Sequence, residues 1–177
     1  MPSQNAFILA VATGLFSPLL QAQPGAGDCS SQVRVVQVRP LDFGTLGLAQ
    51  RRHHDVQHTL SPHGIGYPAP QVLHRRHGAP AELVVCGPPM ARFALELPLA
   101  RAPLRSADTG QATRSALSDF RVNADGCYLR RTAWDTWDCE LGVNGRAILH
   151  IGATLTLPAQ SGPGTLRTEL PFRIVPR

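Results

Sequence analysis

Between Arg146 and Leu157 the chain alternates in a way that only extended backbone explains. Ala147, Leu149, Ile151, Ala153, Leu155 and Leu157 fall on one face, and Arg146, His150, Thr154 and Thr156 fall on the other. A period of two with one apolar side marks a half-buried antiparallel strand, because successive side chains point to opposite faces. Phe93, Leu95 and Leu97 against Arg92, Ala94 and Glu96 repeat the pattern. Residues 33–38, 56–60, 81–86, 117–122 and 166–175 supply further strands. Between them stands turn chemistry such as Pro62-His63-Gly64, Gly87-Pro88-Pro89 and Ser161-Gly162-Pro163-Gly164. Pro171 moves the last run to a sheet edge or a bulge, since proline cannot donate to a ladder. No run places apolar residues at i, i+3, i+4 and i+7 over three turns, so long helices are not expected. Sixteen glycines and sixteen prolines fit the same reading: an all-β, antiparallel sandwich or barrel.

The exception is residues 1–22, an uncharged apolar stretch through Phe7, Ile8, Leu9, Leu15, Phe16, Leu19 and Leu20 that closes on Leu20-Gln21-Ala22. Its length and small-residue end predict a secretory signal peptide, although residues 1–5 carry no Lys or Arg. Gly14 and Pro18 interrupt it, and it falls short of the ~20 residues that a bilayer-spanning helix needs. The expected organisation is a leader at 1–22 and one β-sandwich domain at 23–177. That domain would be exported to the periplasm or cell surface, with no span in the mature chain. It retains all four cysteines and the whole net charge of +5.

Three groups of segments carry a resemblance. They are Leu41-Asp42-Phe43-Gly44-Thr45-Leu46; Ala81-Glu82-Leu83-Val84-Val85-Cys86-Gly87 with Phe93-Ala94-Leu95-Glu96-Leu97-Pro98; and Ile151-Gly152-Ala153-Thr154-Leu155-Thr156-Leu157 followed by Gln160-Ser161-Gly162-Pro163-Gly164. In order and spacing they resemble a bacterial family of secreted domains of unknown function, related in pattern to pilin-like and spore-coat-U-like β-sandwich subunits, over roughly residues 30–175. The resemblance implies an immunoglobulin-like sandwich with a structural role in fimbria-like appendages, and it carries over no catalytic residue. The Arg/His segment at 51–77 and the loop from Cys127 to Cys139 depart from that pattern. Subunits that polymerise by donating an N-terminal strand need about ten alternating residues. Residues 23–28 are too short and too rich in Gly and Pro, and the change of phase between Val33/Val35 and Val36/Val38 reads as a bulge. With 166–175 as its own final strand, the domain is expected to be self-complete.

Four cysteines in an exported chain allow three pairings, of which Cys127 with Cys139 and Cys29 with Cys86 are favoured. No C-x-x-C motif supports a zinc ribbon or a redox pair. Tyr128, Trp134, Asp135 and Trp137, with Asp138, combine flat rings and carboxylates, the mixture that glycan sites use. If the loop is a hairpin, the two tryptophans fall on opposite faces and at most one packs inward. Six of the seven histidines lie between His53 and His77. On a strand, His54 and His58 share a face but stand about 13 Å apart, too far to share an ion. His74 and His77 face opposite ways, so a solvated His-rich face is the simpler reading and no metal or other cofactor is expected. Arg51, Arg52, Arg75 and Arg76 beside a single Asp55 form a basic stretch suited to an anionic polymer. With Tyr67 as its only aromatic, that stretch does not suit nucleic acid. There is no G-x-S-x-G, H-E-x-x-H or P-loop, so the chain is not read as an enzyme. The leading expectation is an exported structural or assembly subunit of a surface appendage or envelope layer, partnered by other subunits or by itself. An envelope glycan- or anionic-polymer-binding module is the alternative, and a periplasmic metal binder through His54, His58, His74 or His77 is a further one.

Overall fold

The computed structural model describes residues 31–48, 53–67, 70, 72–76, 78–97, 101–161, 165–167 and 172–177. The expected leader therefore lies outside the described residues. Among those residues there are fourteen strands and no helix. In chain order they are β1 Arg34–Arg39, β2 Thr45–Leu48, β3 Val56–Leu60, β4 Gly66–Tyr67, β5 Val72–Arg76, β6 Ala81–Cys86 and β7 Arg92–Glu96. Then follow β8 Ala102–Ser106, β9 Ala112–Asp125, β10 Cys127–Arg131, β11 Thr136–Leu141, β12 Arg146–Leu157, β13 Leu166–Arg167 and β14 Arg173–Pro176. All pairings are antiparallel. The large sheet runs β1-β6-β12-β9-β8-β13, with β3 joined to β12 and β4 to β3; a four-stranded sheet runs β10-β11-β7-β14; β2 and β5 form a pair.

The strongly alternating segment is the spine of the large sheet. β9 pairs along one edge of β12, while the other edge takes β6 over 146–151 and β3 over 153–157. Gly152 sits where those two partners meet. A Cβ there would run into the Leu60 carbonyl and the Ser61–Pro62 peptide, so the chain can leave β3 only over a residue with no side chain. All six apolar residues expected on one face of β12 are buried, but so is part of its polar back. Thr154 and Thr156 are buried too, since small side chains in a central strand are hidden by neighbours on both sides, and the Thr154 and Thr59 hydroxyls lie 2.9 Å apart. Ala94 is buried on the nominally polar face of β7 for the same reason, between Asp138 of β11 and Val175 of β14.

Both sheets feed one hydrophobic cluster. Leu83, Val85, Leu149 and Ile151 enter from the large sheet, and Phe93, Leu95, Trp137 and Leu141 enter from the small one. β1 shifts register between Val35 and Gln37 against β6, so the expected bulge is present and the N-terminal strand is occupied within its own chain. The single final strand expected at 166–175 is instead two. β13 pairs β8 in the large sheet and β14 pairs β7 in the small one, so the chain changes sheets between them. Pro171 lies outside the described residues, but both strands do occupy sheet edges.

Candidate functional site

The loop from Cys127 to Cys139 is a hairpin. In register, Cys127 opposes Leu141, Leu129 opposes Cys139 and Arg131 opposes Trp137. Cys127 and Cys139 thus stand diagonally on the inner face, with Cα atoms 5.8 Å apart, and are disulfide-bonded. Cys86 is also disulfide-bonded, while Cys29, its expected partner, lies outside the described residues. The hairpin tip is held by backbone: Thr132 N–H and Ala133 N–H both donate to the Thr136 carbonyl, at 3.0 and 3.3 Å.

The two tryptophans separate, with one packed inward, as the hairpin expectation allows. Trp137 is 5% exposed in the core cluster, whereas Trp134 at the tip is 81% exposed. Arg131 links them. Its guanidinium carbon lies 5.1 Å from the Trp134 ring centroid and 5.2 Å from that of Trp137, within cation–π range of both. The same guanidinium donates to the Ala133 carbonyl at 3.1 Å and to the Trp134 carbonyl at 2.6 Å, fixing the backbone that presents the outer indole. Asp135 is spent on the turn, its carboxylate accepting from the Thr136 hydroxyl and its carbonyl accepting from Leu97 N–H.

On the outer face Tyr128 opposes Glu140, which opposes Arg92. Arg92 Nε and Nη2 reach one oxygen of Glu140 at 2.7 and 2.6 Å, and Arg177 lies 3.6 Å from Asp138. Beside this charge-balanced surface is an open hollow of about 340 Å³, where two turns and the start of the hairpin converge. Met90, Tyr128 and Val143 line it and are 56, 76 and 78% exposed. Met90 has a φ of 62° in its turn, and Gly142 N–H donates to the Gly126 carbonyl to close the floor.

The other expected residues do not gather here. Arg51, Arg52 and His77 lie outside the described residues. His74, Arg75 and Arg76 are on β5, opposite Gly47, Leu46 and Thr45. His54 is exposed ahead of β3, but His58 is fully buried on the core face opposite Leu155, with its ring edge-on to Phe43 at 5.9 Å. The expectation of a solvated His-rich face therefore fails for His58, because it shares the face of Val56 and Leu60 and the spine strand draws that face inward. Among the described residues no three metal-ligating side chains come together. Sequence reasoning missed Arg131, Met90 and Val143. Arg131 was accessible from the hairpin register, which places it across from Trp137, whereas Met90 and Val143 come together only because separate turns meet. The chain matches no protein-family model, no curated protein and no solved structure.

Proposed function

We propose that the chain is an exported immunoglobulin-like β-sandwich that serves as a structural subunit of a surface appendage or envelope layer, assembling through side-chain contacts. The observation that carries this reading is the exposed apolar trio Met90, Tyr128 and Val143 around one hollow beside a disulfide-pinned hairpin. Apolar and aromatic groups fixed on rigid elements and rimmed by charge suit the centre of a protein contact. β1 pairs with β6 of its own chain, so assembly of this kind needs no donated strand. The terminal strands of the sheets carry Arg34 and Arg39 on β1, Arg130 and Arg131 on β10, and Arg173 and Pro176 on β14, which discourage edge-to-edge pairing. A disulfide and the lack, among the described residues, of a helix able to cross a membrane are compatible with export. The test is sedimentation of the mature protein together with its recovery from sheared surface material. Self-association that Tyr128→Ser with Val143→Ser abolishes supports the reading. A monomeric protein absent from the sheared fraction defeats it.

The second reading, glycan binding, has its own support in Trp134. Arg131 holds that ring at the hairpin tip and most of its surface faces solvent, as a sugar-stacking platform requires. Loss of binding to a neutral glycan array on Trp134→Ala, with assembly intact, would favour it over the first.

A further inference from the structure

We propose that the solvent face of the β8–β9 ribbon is a docking surface for a linear acidic polysaccharide. β8 alternates cleanly: Ala102 and Leu104 are buried, while Arg101 just ahead of the strand, Pro103 and Arg105 face out. The adjoining β9 adds exposed Arg114 and Arg121. Arg121 opposes Gly152, Arg105 opposes Ala112 and Pro103 opposes Ala116, so the partners across the ladder from Arg105 and Arg121 carry little or no side chain.

None of these four arginines makes an ion pair among the described residues. Arg105 donates to the Gly110 carbonyl, at 3.0 Å. Arg39, Arg92 and Arg177, by contrast, pair with Glu82, Glu140 and Asp138. Arg167 of β13 stands opposite Arg105 in register. Arg101 and Arg105 are about 13 Å apart along the strand and neighbouring strands about 4.8 Å apart, spacings that successive sugar units of one chain can follow. Guanidinium is the planar fork that binds carboxylate and sulfate bidentately. The exposed Asp108 and Asp119, in the turn and the bulge, leave the surface positive. A polysaccharide fits better than nucleic acid or a membrane, because the ribbon presents neither aromatic rings for stacking nor apolar side chains for insertion. The inference is independent of the assembly contact, which uses other residues.

The test is binding of the mature chain to polygalacturonate, with uncharged dextran, anionic phospholipid vesicles and single-stranded DNA as comparisons, across a salt series. Arg101→Ser/Arg105→Ser/Arg114→Ser is expected to weaken polygalacturonate binding about tenfold or more and to flatten the slope of log K against log salt by roughly two to three. Arg130→Ser/Arg173→Ser/Arg177→Ser, the same charge change on the small sheet, is expected to leave both nearly unchanged. Arg101→Lys/Arg105→Lys/Arg114→Lys keeps the charge and should keep the salt slope while losing part of the affinity, which serves if the serine variant does not fold. Equal losses from the two serine triples, no binding by the parent chain, or stronger binding to vesicles or DNA at matched salt would each overturn the proposal.

Discussion

Trp134 and Trp137 are three residues apart and should respond to the same substitution to very different degrees. Trp137→Ala removes a ring from the shared core cluster and is expected to cost about 3–5 kcal/mol, whereas Trp134→Ala should change stability by less than about 1 kcal/mol, the scale of an exposed cation–π contact. Urea unfolding of the two variants checks this, and a large loss for Trp134→Ala would mean that the hairpin tip helps hold the fold. Gly152 carries a second prediction at this scale. Gly152→Ala places a methyl group against the backbone of residues 60–62 and is expected to destabilise by about 1–3 kcal/mol. A melting temperature equal to the parent's would show that β3 can leave the spine by another path. That at most one tryptophan packs inward was readable from the hairpin pattern, but which one it is was not. Why residue 152 must be glycine was not, because its obstruction is the backbone of a segment about ninety positions away in sequence.

At the level of elements, the hairpin β10–β11 owes its rigidity to the disulfide as well as to its ladder. β10 is a terminal strand of its sheet, so it has one strand neighbour to hold it. Cys127→Ser/Cys139→Ser is expected to lower stability by roughly 3 kcal/mol, the entropy of closing a loop of this size, and to loosen Tyr128 together with the tip. Thermal unfolding gives the first quantity, and faster amide exchange confined to 127–141 gives the second. Uniform acceleration across the chain would instead assign the bridge a global role. The β12 spine, the β7 core face and the β1 bulge were all legible in the sequence as periodicity or its interruption. The division of 166–175 into β13 and β14 was not, since only the available partner edges, β8 and β7, separate them.

For the whole molecule, one cluster draws side chains from both sheets, so neither sheet should unfold alone. Far-ultraviolet circular dichroism and the fluorescence of Trp137, isolated by Trp134→Phe, are expected to report the same urea midpoint. Two separated midpoints would mean that the small sheet is an independent unit. The surfaces divide the proposed roles: an apolar hollow beside the hairpin for assembly, and an arginine ribbon on the far side of the large sheet for acidic polymer. By itself the sequence determined the all-β class and the phase of its clearest strands, because alternation is a local property of extended backbone. The tertiary structure alone decided that His58 is core, that Met90 and Val143 share a hollow with Tyr128, and that four arginines stand on one ribbon. Each of these depends on which strands become neighbours, and strand pairing is set by contacts between residues far apart in the chain.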